Sequence, residues 1–315
     1  MLKIFIKNKI SENVFVFIIL FVILAISISG VDAASHHINN DGNFSNIQYE
    51  VDNAGSGDTI YLHNHTFVNS HSTPINIHKS ITIDGGNYEG DNHKSTLNAK
   101  LLSRIFNVNS GVTLRLKNLN LINGKSVNGG AAYISGGSTL YSKDCNFINN
   151  SASIDGGVIY GGSSTTVTVK TNNNFINNSA GRDGGAIYLD HGIFDATSGS
   201  NPNINFINNS AGRDGGALFY TVISNVFKGK PIEYINFYNN KANHAGGALY
   251  FIMYGDIKTA SDFRIWFNTV NNNTAMYGGG LYISLPDQKP NHNTMHFRGN
   301  YYFNNHATWW RIIYK

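Results

Sequence analysis

The chain has 315 residues, 46 of them asparagine and 33 glycine, with 13% charged and 41% hydrophobic residues. So little charge beside so much apolar content excludes a disordered chain. A net charge of +4, with no run of lysine or arginine, excludes an electrostatic nucleic-acid binder.

At the N-terminus Lys3, Lys7 and Lys9 precede an apolar run at 14–28, then Gly30, then Val31-Asp32-Ala33 with small residues at the −3 and −1 places of a cleavage site. That order predicts a secretory signal over residues 1–33. An uncleaved anchor is the alternative, although fifteen apolar positions fall short of the roughly 20 that a spanning helix needs. Both readings send the remainder outside the cell, and no transmembrane segment is expected beyond the signal. The lone Cys145 allows no internal disulfide and reads as a small buried apolar residue.

Residues 34–74 read as an N-terminal cap and first strand. FSNIQYEVDNA (44–54) has the pattern of a short amphipathic helix and DTIYL (58–62) that of a strand. The stretches INIHKSITIDGG (75–86) and RIFNVNSGVTLRLKNLNLING (104–124) read as early, less regular coils of a repeat array that fills residues 75–315.

The array declares itself in FINNSAGRDGGA, which occurs unchanged at 175–186 and 206–217. Gly-Gly pairs lie at 129–130, 156–157, 184–185, 215–216, 246–247 and 278–279. Before each sits an apolar anchor, Leu121, Phe147, Phe175, Phe206, Phe237 or Val270, with Tyr302 as a seventh, spaced by 26, 28, 31, 31, 33 and 32 residues. Such a period signals a solenoid or propeller. The units hold no helix pair and are too short for a four-stranded blade. The expected fold is therefore all-β, a right-handed parallel β-helix with a short N-terminal capping helix. In it equivalent residues stack coil upon coil: Phe on Phe inside, and the Asn pairs at 149–150, 177–178, 208–209, 239–240, 272–273 and 304–305 as an amide ladder. Each coil is thus the template of the next, and repetition follows.

After each corner comes an aliphatic position (Ala132, Ile159, Ile187, Leu218, Leu249, Leu281) and then an aromatic one (Tyr133, Tyr160, Tyr188, Phe219, Tyr250, Tyr282). Strand alternation puts these columns on opposite sides, the aliphatic one inward and the aromatic one outward. The aromatic column is the candidate surface for stacking sugar rings; a purely stabilising cross-strand ladder is the alternative. Asp155, Asp183 and Asp214 fall in one column with Arg182 and Arg213 beside them, until Ala245 and Tyr277 end it. They read either as a small acidic or calcium site or as a surface ion-pair ladder copied with the repeat. His63 and His65 would share one strand face and His36-His37 lie close to the mature N-terminus, but no third metal ligand is evident. Of six Asn-x-Ser/Thr sequons, those at Asn149, Asn177, Asn208 and Asn272 coincide with the expected ladder, so Asn43 and Asn64 are the better glycan acceptors. No catalytic residue, metal or cofactor is assigned.

FINN followed by GGAI resembles the paired FxxN and GGA[I/L] repeats of chlamydial polymorphic outer-membrane proteins. The same repeats occur in the adhesin-like surface proteins of methanogenic archaea, which the front end (GSGDTIYL, INIHKSITIDGG, NLNLINGKSVNGGAAYI) resembles more. The resemblance runs from about residue 41 to 307 and implies a non-catalytic surface β-helix that attaches to a glycan or cell-surface partner. A polysaccharide lyase or glycoside hydrolase of the β-helix class is the alternative. The family's motifs are structural, so the resemblance carries over no catalytic residue. Relatives continue for many more repeats, whereas this chain stops after NNHATWWRIIYK. Tryptophan has one codon, so Trp309-Trp310 is written TGGTGG, and a shift of one base reads Gly-Gly seven to eight residues after Tyr302, where the next corner belongs. The tail is therefore expected to be a frameshifted repeat of a truncated adhesin, with more GGA-type units in the downstream DNA.

Overall fold

A computed structural model describes residues 33–86, 93–196, 203–223, 231–255, 263–286 and 295–309. The predicted signal, apart from Ala33, and the tail at 310–315 lie outside them.

The chain winds as a parallel β-solenoid, each strand pairing with its equivalent one turn away. A ten-stranded sheet carries the anchors on strands such as Asn146–Ile148, Asn173–Ile176, Ile204–Ile207 and Ile235–Tyr238. An eight-stranded sheet carries the aliphatic and aromatic columns on Ala132–Ile134, Ile159–Gly161, Ile187–Asp190, Leu218–Ile223, Leu249–Tyr254 and Leu281–Ser284. Short strands such as Lys125–Ser126, Ser151–Ala152 and Ser179–Ala180 link the two in a seven-stranded sheet. A second seven-stranded sheet begins at Ser35–His37, and a three-stranded one serves the later coils.

The register is the one the anchors predict. Leu121 pairs with Phe147, Phe147 with Phe175, Phe175 with Phe206, Phe206 with Phe237, Phe237 with Val270 and Val270 with Tyr302. The file begins earlier still, with Phe67 and Leu97. Ring centroids of Phe147, Phe175, Phe206 and Phe237 follow one another at 4.7, 4.5 and 5.2 Å, all stacked, close to the roughly 4.8 Å between hydrogen-bonded strands. These rings are fully or almost fully buried, as is the aliphatic column from Ala132 to Leu249, so one apolar core runs through the described coils.

The Asn pairs divide their labour, which corrects the expectation that both members build the ladder. The first member, at Asn149, Asn177, Asn208, Asn239 and Asn272, is exposed and turns the corner with φ of 54 to 57°, a conformation asparagine tolerates better than most residues. Only the second points inward. Asn150 Nδ2 donates to Asn178 Oδ1 (3.2 Å), and Asn178, Asn209, Asn240 and Asn273 each donate likewise to the next coil at 2.9 Å. The Gly-Gly pairs are divided too. The first glycine has φ near +65°, as at Gly156 and Gly184. The second has no room: a Cβ at Gly157 would lie on the carbonyl oxygen of Gly185.

Upstream, helix α1 spans Phe44–Asn53 and buries Phe44, Ile47 and Val51, the spacing of one helical face. Its N-cap is Asn43, whose Oδ1 accepts from the amides of Ser45 (2.9 Å) and Asn46 (3.3 Å), while Asn46 Oδ1 accepts the Asn43 amide at 2.8 Å. The helix lies against Ile75–Ile77, the edge strand of the eight-stranded sheet. There the Gln48 side chain accepts from Asn76 N (2.7 Å) and donates to Asn76 O (3.2 Å). One side-chain amide thus gives the edge strand the two bonds a neighbouring strand would supply.

Candidate functional site

The aromatic column is present and continuous. Tyr133, Tyr160, Tyr188, Phe219, Tyr250 and Tyr282 stack in register with centroid separations of 5.1, 5.1, 4.8, 4.9 and 5.0 Å. Arg104 lies over the near face of Tyr133, 5.0 Å from its centroid. The column lies on the side opposite the aliphatic file, but its rings are half-buried and Phe219 is 8% exposed. Burial pushes the phenols of Tyr160, Tyr188 and Tyr250 up. Both faces of Tyr160, Tyr188, Phe219 and Tyr250 are covered by neighbouring rings, so these residues offer surroundings their edges and not a flat stacking face.

Beside this column runs the carboxylate file, placed as the sequence places it but far more buried than a surface ladder: Asp155, Asp183 and Asp214 are 2%, 1% and 5% exposed. Each is satisfied by the following coil. Arg182 grips Asp155 through Nε at 2.9 Å and through Nη2, and Arg213 grips Asp183 in the same way. His244 replaces the arginine on Asp214, with Nδ1 at 2.6 Å. The amides of Asp183, Asp214 and Ala245 add further bonds to these carboxylates at 3.2, 3.1 and 3.0 Å. Burial still pushes the Asp183 carboxyl up against the opposing pull of Arg213. Ala245 and Tyr277 continue the file without charge.

Beyond a contact of His37 with His63, the described histidines do not gather. His63 sits in a turn with φ of 48° and does not share a strand face with His65. His63 contacts His37 (2.7 Å), and His65 contacts Asp41 (3.2 Å). His36 bridges Glu50 of α1 and Asp58, both at 3.1 Å. Asp58 also accepts the amides of Ala34 (2.7 Å) and Gly55 (2.6 Å). Burial pushes the Asp58 carboxyl up, but the bonds from Ala34, Gly55 and His36 outweigh it and hold the group below its usual range. Among the described residues no group of three or more His, Cys, Asp or Glu side chains is placed to hold a metal ion. Cys145 is buried, and burial pushes its thiol up to about 12.

Asn64 is exposed, as expected of a glycan acceptor. Asn149, Asn177, Asn208 and Asn272 are the exposed corner residues, so the expected inward clash does not arise. Asn43 is the acceptor whose side chain is already committed, to the cap of α1.

One feature escaped the sequence reading. A groove of about 670 Å³ opens between the 99–104 loop and the short-strand sheet, lined among others by Leu101, Leu102, Arg104, Lys125, Ser126 and Val127. Its members lie on separate coils and share no motif; the only signal in the sequence is that Val127 and Ile154 stand where later coils carry Arg182, Arg213 and His244.

Buried files repeated in register along a parallel winding define a β-solenoid repeat protein, and comparison with known families agrees. The Chlamydia polymorphic membrane protein (Chlamydia_PMP) repeat matches in four places, at 144–162, 174–190, 203–221 and 234–252. Each match runs from an anchor strand through the Asn and Gly-Gly corners into the aromatic strand. Repeats of this kind on a β-solenoid fit a surface-exposed protein of autotransporter-like or adhesin type. No curated protein matches the chain. No helix among the described residues is long and apolar enough to cross a membrane.

Proposed function

We propose that the protein is a secreted or cell-surface adhesin-like solenoid, built for attachment to a surface or glycan and not for catalysis. The carboxylate file carries this reading. Hydrolysis or elimination on a sugar chain uses carboxylates free to move protons or bind calcium. Asp155, Asp183 and Asp214 are buried, bonded to the next coil and repeated in place, which suits a fastening and not a reaction centre. The leader over residues 1–33 would deliver the chain outside as an adhesin-like protein of archaeal type. The winding is right-handed, and α1, through Gln48 and its buried face, closes the N-terminal end of the stack.

The test coats beads with the protein from residue 34 onward and measures their retention on polysaccharide-bearing surfaces. The same preparation is incubated with uronic-acid polymers and assayed for new reducing ends and unsaturated termini. Retention without cleavage is the expected result. Catalytic release of either product would overturn the reading in favour of a β-helix lyase or hydrolase.

A further inference from the structure

We propose that the groove beside the 99–104 loop binds an acidic glycan, with a sugar carboxylate at Arg104 and Lys125 and an apolar sugar face on Leu102 and Val127. This deepens the attachment reading and rests on it for the choice of a glycan.

The first observation is a break in the repeat. Val127, Ile154, Arg182, Arg213 and His244 form one file, each amide from Ile154 onward donating to the carbonyl before it. Where later coils carry cations that clamp the carboxylate file, the two coils at the groove expose Val127 (54%) and Ile154 (38%). Leu101 and Leu102 are about half-exposed across the groove. In a molecule whose surface is copied coil by coil, water-exposed aliphatic side chains gathered at one departure from the pattern mark a contact surface.

The second observation is charge. Arg104 and Lys125 line the groove and, among the described residues, no carboxylate does. Arg104 is held in place: Nε and Nη2 donate to Ser126 Oγ (3.2 and 2.6 Å), Nη1 donates to Asn107 Oδ1 (3.0 Å), and the guanidinium rests on Tyr133. A guanidinium has five N–H groups, so one N–H on each terminal nitrogen is left over. Burial lowers the Arg104 pKa, as it does for a cation without a neighbouring anion. A fixed, uncompensated guanidinium is the group that recognises a carboxylate.

The third observation is rigidity. Lys100 and Leu101 both adopt left-handed conformations, with φ of 51 and 60°, which bulky residues avoid. The loop is held there by bonds from Lys100 N to Asn98 Oδ1 (2.9 Å), Leu101 N to Asn123 O (2.8 Å) and Leu102 N to Ala99 O (2.9 Å). Strain kept by surrounding bonds suits a preformed site. The same bonding argues against an extended peptide, which binds by adding to an open strand edge. Here the Leu101 and Lys125 amides are already taken, the latter by Ser103 O at 3.0 Å. A sugar needs no such edge; it brings hydroxyls for Ser126 and Asn107 and C–H faces for the aliphatic rim.

The experiment measures binding of the protein to polygalacturonate, to its methyl-esterified form and to poly-glutamate by calorimetry at two salt concentrations. Polygalacturonate is expected to bind, more weakly as salt rises, and esterification to cost about tenfold or more, the loss of a charged hydrogen bond. Arg104→Leu should lose roughly 10- to 100-fold on the same basis. The exposed changes Lys125→Ala and Val127→Ser guard against misfolding and should each weaken binding, while Lys241→Ala, an exposed lysine outside the groove, should not. Equal loss in Lys125→Ala and Lys241→Ala, indifference to esterification, poly-glutamate bound as tightly, or no binding would each overturn the proposal. If beads still attach while the groove variants change nothing, the groove assignment falls and the attachment reading stands. If the groove binds but no bead attaches, the attachment reading falls instead.

Discussion

Asn209→Ala is expected to destabilise the protein by about 2 kcal/mol or more, a large effect for a small polar residue. Asn209 is fully buried in the interior amide file. Its Nδ2 donates to Asn240 Oδ1 and to Phe175 O, both at 2.9 Å. Its Oδ1 accepts from Asn178 N (3.1 Å) and Asn178 Nδ2 (2.9 Å). Truncation strands two groups, the Asn178 backbone amide and one Asn178 side-chain N–H, while the Phe175 carbonyl keeps the ladder bond of its strand pairing. Asn240 Oδ1 keeps the Asn209 backbone amide at 3.0 Å. A buried group stripped of its partner costs about 1 to 3 kcal/mol, so two cost about 2 even at the lower bound. The neighbouring Asn208→Gly is the control. Asn208 is exposed at φ of 55°, where glycine fits as well, so a change within about 0.5 kcal/mol is expected. Because repeat arrays unfold in parts, denaturant midpoints should be read together with amide exchange in the coils containing Phe175 and Asn240. If Asn209→Ala and Asn208→Gly shift stability equally, the interior file is not what holds the coils in register.

Gly157→Ala should perturb the fold severely, because its Cβ meets the Gly185 carbonyl, whereas Gly162→Ala, with nothing near the added methyl, should be mild; thermal melts of the pair check this. Arg213→Met removes the gripping partner of the buried Asp183 carboxylate, which keeps the Asp214 amide (3.1 Å) and Arg182 Nε (3.5 Å), so the cost is about 2 kcal/mol, below that of a fully buried pair because Arg213 is half-exposed. A carboxyl raised above its unfolded value costs stability at neutral pH and ceases to do so below about pH 4, so denaturation across pH should show this gap closing in acid. Asp58→Asn should free the Ser35–His37 strand; because Asp58 is held below its usual range, its contribution is present above about pH 4 and lost as pH falls through the lowered value, which exchange at residues 34–38 will report. Cys145 should resist thiol reagents in the folded protein and react on unfolding, since the thiol is buried and pushed up to about 12.

The column register was legible because a like residue stacks best on itself, so Phe147, Phe175, Phe206 and Phe237 announce their pairing by identity alone. The burial of Ile159 and Ile187 opposite Tyr160 and Tyr188 followed from strand alternation. What remained hidden is what adjacent identical letters conceal. Asn149 and Asn150 look alike in sequence, yet one takes a left-handed corner and the other a buried file, and only backbone geometry separates them; the inward clash expected at the corner sequons fell away for that reason. Gly156 and Gly157 are equal in letter and unequal in cause, one by φ and one by space. The Gln48 bridge to Asn76 joins residues 28 apart with no shared pattern. The groove was missed because it is made of departures from the repeat, and a search for periodicity looks past them.

The duplicated twelve residues have an evolutionary consequence. Their two copies occupy matched positions on neighbouring turns, Phe175 against Phe206, so recombination between the encoding segments would excise 31 codons and rejoin the polypeptide in frame. The shortened molecule would lose one storey, roughly 4.8 Å of height, and every remaining floor would meet a ceiling it already fits. Unequal crossing-over in the opposite sense would add a storey as cleanly. Solenoid length becomes a quantity that inheritance can adjust in whole steps, without inventing a new contact each time.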